Sequence, residues 1–166
     1  QGTESDETID ALKGIADWDK TRKYSFADLE MLARGSSHYN VTVDVNNQVF
    51  MNPSSMIASV VDECSKIGEA PSTIGELMQC VYKSLAECYA TAIANLSEIT
   101  GKNFTSINIV GGGCQDKYLN SLTAEETGLE VFAGPVEGTA IGNLIVQMIA
   151  AGVFADLTEA RKAIIL

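Results

Sequence analysis

Residues 107–114 read Ile-Asn-Ile-Val-Gly-Gly-Gly-Cys, and their types and spacing suit chemistry better than any other stretch of the chain. A β-branched apolar run stops at three consecutive glycines, and a helical pattern starts just after them. Glycine reaches φ > 0 without steric penalty and lets the backbone come close to another surface. A turn that opens onto a helix N-terminus offers free N–H groups and the positive end of the helix dipole, which together favour an anion. Contact with a nucleotide phosphate is the chemistry this suggests. The same turn also suits a tight strand-to-helix connection with close packing, and the pattern alone leaves both readings open. No Gly-Lys-Ser/Thr follows, so this is not a Walker loop. The G-x-G-x-x-G spacing of a dinucleotide site is absent as well. Lys117 falls in the predicted first turn beyond the glycines, where it either reaches a phosphate or is solvated.

Other candidate groups point away from catalysis. Gly134-Pro-Val-Glu-Gly-Thr-Ala-Ile-Gly142-Asn143 is a second glycine-rich approach to a helix, suited to helix packing or to a flat ring. Asp62-Glu63 and Glu125-Glu126 are adjacent on helical patterns, so their side chains diverge by about 100° and form no facing carboxylate pair. Ser84 and Thr139 have no histidine near them in sequence, and His38 is the single histidine, which argues against a hydrolase triad. The cysteines are Cys64, Cys80, Cys88 and Cys114, with no C-x-x-C pair, so a structural zinc site is not indicated. Cys80 and Cys88 read as small core residues. Cys64 and Cys80 flank a predicted helix–turn–helix around Gly68 and Pro71, which brings them close. A cytosolic protein keeps such a pair as thiols, and a disulfide requires Cα atoms within about 7 Å. Sequons at Asn40, Asn95 and Asn103 read as chance triplets.

The elements that must position these groups follow from periodicity and caps. Tyr24–Arg34 reads as a helix with Ser25 as N-cap and Phe26, Leu29 and Leu32 inward. Gly35–Asn47 is a polar connector. Asn52-Pro53 reads as the start of a second helix, with Met56, Ile57, Val60, Val61 and Cys64 at helical spacing and Gly68 ending it. A long third helix runs from Ser72 to Thr100 on the stripe Ile74, Leu77, Met78, Val81, Leu85, Cys88, Ala92, Leu96, Ile99, closed by Gly101. Thr105–Val110 reads as a strand buried on both faces. Gln115–Thr127 is a helix closed by Gly128, Glu130–Ala133 a second strand, and Glu137–Ala151 an apolar helix. Asp156-Leu-Thr-Glu159 is a capping box for a last helix. The order β-α-β-α requires parallel strands joined by a right-handed crossover. Two strands are too few for a stable sheet, so further strands are expected elsewhere.

Composition sets the outer bounds. The chain has 166 residues, is 46% apolar and carries a net charge of −11. That fits one folded α/β, mostly helical domain, with residues 1–17 as a frayed polar segment. The acidic balance argues against nucleic acid and anionic membrane surfaces. It also sets the overall field against ATP, so a nucleotide would depend on local backbone donors and a cation. The most apolar stretch, Ile141–Ala155, is too short and polar to span a bilayer. The N-terminus lacks an apolar signal region and a starting Met, which suggests a cut piece of something longer.

Taken together, the two glycine motifs resemble a known family. Ile109-Val-Gly-Gly-Gly-Cys-Gln-Asp-Lys-Tyr-Leu-Asn-Ser-Leu-Thr-Ala124 and Ala133-Gly-Pro-Val-Glu-Gly-Thr-Ala-Ile-Gly-Asn-Leu-Ile-Val-Gln147 look like the C-terminal part of rhamnulokinases. Phe50-Met-Asn-Pro-Ser-Ser-Met56 and Ser84-Leu-Ala86 look like it too, and the resemblance covers roughly Trp18–Ile165. These are FGGY-type sugar kinases of the actin-like ATPase superfamily, with a ribonuclease-H-like fold. The resemblance implies ATP-dependent phosphorylation of L-rhamnulose at its 1-hydroxyl, with Mg2+, in a cytoplasmic protein. It implies that Gly111, Gly112, Gly113 and Cys114 line the nucleotide site. Asp116 stands there too, where the family commonly has Asn, and Gly138 stands where Ala is usual.

The resemblance also implies absences. The family's N-terminal kinase domain carries the other phosphate turn, the sugar pocket and the catalytic Asp. Without it the chain is expected to be a partial C-terminal kinase domain with no catalytic or metal residues of its own and no activity alone. The edge of Thr105–Val110 is expected to self-associate or to be covered by the N-terminal segment. Two other classes remain in play: a non-catalytic nucleotide-binding or interaction module of the same descent, and a Rossmann-type oxidoreductase. The second is disfavoured by the glycine spacing and by Glu130, which begins its strand instead of ending it.

Overall fold

The computed structural model describes residues 10–15 and 24–164. They divide into two compact units. One takes the described residues up to Thr105 together with Asp116–Glu130, and the other takes Ser106–Gln115 and the residues from Val131 onward.

The first unit is helical. Its helices are α1 (Phe26–Gly35), α2 (Met56–Ile67), α3 (Ile74–Thr100) and α4 (Lys117–Thr127). Local chemistry fixes where each begins. Ser25 and Asp28 form a reciprocal capping box: the Asp28 N–H donates to the Ser25 hydroxyl at 3.2 Å, and the Ser25 N–H donates to the Asp28 carboxylate at 2.9 Å. The Thr73 hydroxyl accepts from the Glu76 N–H at 3.2 Å and starts α3. Apolar faces then meet in two clusters. Val60, Val61 and Cys64 of α2 pack with Ile74, Leu77 and Cys80 of α3, joined by Tyr39, Val43, Ala11 and Ile15. Ala33 of α1, Tyr82 and Ala86 of α3, and Tyr118, Leu119 and Leu122 of α4 form the second. Helices α1 and α3 cross at Gly75, where a Cβ would stand 2.7 Å from the Leu32 carbonyl oxygen and against the Ser36 hydroxyl. Only a residue without a side chain allows that approach.

The second unit carries the strand-to-helix chemistry. Strands β1 (Ser106–Ile109) and β2 (Glu130–Ala133) pair with each other. The Glu130 N–H donates to the Thr105 carbonyl and the Gly134 N–H to the Ile109 carbonyl, so the register advances equally on both strands and they run parallel. Helix α5 (Gly138–Ala150) follows, and then α6 (Leu157–Ile164). The Glu159 N–H donates to Asp156 at 2.8 Å and the Glu159 carboxylate accepts from the Ala155 N–H at 2.7 Å, so the predicted cap holds. The chain is thus the mostly helical α/β fold expected, with a short parallel β-α-β-α core.

Several expectations change. Residues 10–15, expected to fray, are helical and bury Ala11 and Ile15; residues 1–9, 16 and 17 lie outside the described residues. Phe26 faces solvent at 90% exposure, because the first turn of α1 overhangs the core that Leu29 and Leu32 reach. The second helix starts at Met56 instead of Pro53, because the Ser55 hydroxyl accepts the Ala58 N–H and caps it; Met56 and Ile57 are exposed. The stripe of α3 outruns its packing partners, leaving Ala92, Leu96 and Ile99 exposed. The expected strand Thr105–Val110 is not buried on both faces: Asn108 in β1 and Val110 just past it are exposed, as suits a strand with one neighbour among the described residues. Among the described residues, no helix is long and apolar enough to cross a membrane.

Candidate functional site: the glycine turn and the helix cap beyond it

Strand β1 delivers the chain to Gly111, which takes φ = +83° and reverses its direction. The Gly111 N–H donates to the Pro135 carbonyl at 3.3 Å, and the Cys114 N–H donates back to the Gly111 carbonyl at 3.1 Å. The buried Cys114 thiol donates to the Gly134 carbonyl at 3.0 Å. These bonds tie the turn to the segment after β2. Gly112–Gln115 form one turn of 3-10 helix. The leading N–H groups of such a turn have no acceptor within it. Gly112 and Gly113 are exposed, and apart from their immediate chain neighbours no heavy atom lies within 4 Å of where a Cβ would stand on either. Of the three glycines only Gly111 uses left-handed backbone. The other two leave amide surface bare, and a flat or anionic ligand can lie against it.

The predicted helix at Gln115 begins instead at Lys117, and Asp116 is its N-cap. One carboxylate oxygen accepts from the N–H groups of Tyr118 at 3.1 Å and Leu119 at 2.9 Å. The other accepts the Tyr82 hydroxyl proton at 2.7 Å. The protein's own carboxylate therefore fills the anion site at the N-terminus of α4. The exposed backbone nearest in sequence is that of Gly112 and Gly113, before the cap. Burial, and then the Asp116 carboxylate beside it, push the Tyr82 hydroxyl well above the ordinary tyrosine value. Around this cap the Tyr118 hydroxyl donates to buried Gln79 at 2.8 Å, and the Tyr82 and Tyr118 rings meet edge to face at 5.4 Å. The Arg34 guanidinium lies 4.3 Å over the Tyr118 ring while bonding Glu30 at 2.8 Å.

An Asp just before a helical run is a legible N-cap signal. Tyr82, far away on another helix, carries no such signal, and sequence reasoning missed it. Lys117 is exposed. The second glycine motif packs: a Cβ on Gly138 would stand 3.3 Å from the Val110 Cβ. Ser84 is buried, accepting from the Val43 N–H and donating to the Cys80 carbonyl, which leaves it no nucleophilic role. Among the described residues, no group of three His, Cys, Asp or Glu could hold a metal ion.

Residues 9–151 match the C-terminal domain of the FGGY family of carbohydrate kinases, and the chain belongs to that family. Its glycine turn and the Asp116 cap both lie within the matched stretch. Among named relatives, the rhamnulokinase of Halalkalibacterium halodurans is 46% identical over 86% of this chain and 30% of its own length. That of Bacillus subtilis is 41% identical over 85% of this chain and 29% of its own, and that of Klebsiella pneumoniae 37% identical over 74% and 25%. The chain thus spans about 30% of the length of the first of these relatives.

Proposed function

We propose that this chain supplies the nucleotide-side wall of an ATP-dependent sugar kinase that phosphorylates L-rhamnulose at its 1-hydroxyl. The observation that carries the reading is the bare amide surface of Gly112 and Gly113, set at the end of a strand in a chain 46% identical to a rhamnulokinase. The nucleotide lies against Gly111, Gly112, Gly113 and Cys114. Asp116 holds the start of α4. ATP would bring the phosphoryl group, with Mg2+ offsetting the chain's charge of −11.

Both units belong, in this reading, to one C-terminal kinase domain of a cytoplasmic enzyme. Its sugar pocket and catalytic base come from the rest of the relatives' length. Phosphoryl transfer needs sugar, metal and nucleotide held together, so this chain alone turns nothing over. The edge of β1 that has no partner among the described residues is where a further strand adds, from that larger protein or from a second copy.

The test is an amide NMR titration of this chain with MgATP. Shifts confined to Gly111–Cys114, lost in Gly113→Val, support the reading. No shift at millimolar MgATP sinks nucleotide binding. Coupled-assay turnover of L-rhamnulose by the chain would sink its inactivity. Binding with no contribution to a reconstituted kinase would favour a non-catalytic nucleotide-binding module.

A further inference from the structure

Asp116 follows Gly113 by three residues, and the chain between their Cα atoms can span no more than about 11 Å. A carboxylate so tethered stands on the scale of the Debye length, about 8–10 Å at physiological salt, from the amide surface proposed for the nucleotide. Its charge opposes a polyphosphate, and the chain's net charge of −11 adds to the same field. Among the described residues no lysine or arginine bonds Asp116. We propose that Tyr82 is a positioning residue of the nucleotide site, whose hydroxyl holds the Asp116 carboxylate on the cap of α4 and keeps its charge from the phosphates. The inference rests on the nucleotide reading above.

The bonding of the carboxylate gives Tyr82 this task. Oδ1 accepts two N–H groups, from Tyr118 at 3.1 Å and from Leu119 at 2.9 Å. Oδ2 has a single donor, the Tyr82 hydroxyl at 2.7 Å. With all three donors in place the carboxylate cannot turn without breaking strong, charge-assisted bonds, and their dipoles offset part of its field. Without the hydroxyl one whole oxygen is unbonded and the group is free to swing off the cap. Tyr82 is buried, so no bulk water takes the place of its hydroxyl.

The donor is itself fixed. The Tyr82 ring meets the Tyr118 ring edge to face at 5.4 Å, and the Tyr118 hydroxyl is anchored on buried Gln79 at 2.8 Å. Burial, and then Asp116 itself, hold the Tyr82 hydroxyl proton well above the ordinary tyrosine value, so the group stays a donor at neutral pH. The Arg34 guanidinium is engaged with Glu30 at 2.8 Å and with the face of Tyr118, and does not bond the carboxylate.

The test titrates MgATP into the native 166-residue chain, Tyr82→Phe, Asp116→Asn and the double variant, and follows the Gly112 and Gly113 amide signals. Tyr82→Phe should weaken binding by about three- to ten-fold, the size of one partly unmasked charge at this range. The deficit should shrink in 1 M KCl, where the Debye length is about 3 Å. Asp116→Asn removes the charge and should bind at least as tightly as the native chain. The double variant should return to within about two-fold of native affinity while its urea midpoint stays below the native one, since its cap still lacks the hydroxyl. A purely structural role predicts the reverse, with affinity following the midpoint and the double variant no better than Tyr82→Phe. That result, a deficit indifferent to salt, or native affinity in Tyr82→Phe overturns the proposal and leaves the nucleotide reading standing. No amide shift in any of the four chains at millimolar MgATP overturns the nucleotide reading, and the proposal with it.

Discussion

Asp116→Ala tests whether the residue after the glycine turn is a structural anchor. The substitution removes the acceptor for the Tyr118 and Leu119 N–H groups and for the Tyr82 hydroxyl. Losing an N-cap side chain costs about 1 kcal/mol. Tyr82 is only 5% exposed, so its hydroxyl is left without a partner and without water, which costs about 1–3 kcal/mol more. The sum is about 2–4 kcal/mol, or a fall of roughly 4–16 °C in the midpoint for a chain of this size. Asp116→Asn keeps a carbonyl oxygen for the cap and an amide that can face Tyr82, so it should lose less than half as much. The assay is urea unfolding followed by helical circular dichroism, run as a double-mutant cycle with Tyr82→Phe. Once Tyr82 is Phe, Asp116→Ala should cost about 1–3 kcal/mol less than in the native chain. The reasoning is refuted if Asp116→Ala unfolds within about 0.5 kcal/mol of the native chain, or if the two substitutions are strictly additive.

Two further outcomes are expected. Gly75→Ala should destabilise by about 1–3 kcal/mol, because its Cβ meets the Leu32 carbonyl at 2.7 Å, whereas Gly142→Ala, with open space around it, should be neutral or better; urea midpoints compare them. The Glu76 carboxyl is pushed up by burial, but the Ser72 N–H and hydroxyl and the His38 ring outweigh that and hold it below its ordinary value of 4.5. A depressed carboxyl stabilises fully above its unfolded value and loses that contribution as pH falls through the folded one. The midpoint gap between the native chain and Glu76→Gln should therefore close as pH falls from 5 towards 3.

Much of this protein is written locally. Ser25 with Asp28, Thr73, Gly101 and the Asp156–Glu159 pair mark helix ends within three or four residues of themselves, so sequence alone places α1, α3 and α6 nearly where they lie. The run Ile107–Gly113 likewise announces a strand, a reversal and a bare backbone, because glycine's freedom is a property of the residue and not of its surroundings. Other features depend on what lies across the fold. Helical spacing shows that Phe26, Leu96 and Ile99 share a stripe with core residues, but only the length of the packing partners decides that these three stay in water. Asp116 caps α4 through bonds two and three residues away, but the tertiary structure alone brings Tyr82 to its second carboxylate oxygen. Such contacts join residues far apart in the chain. No local pattern can encode them, because their energy exists only once two helices have already packed.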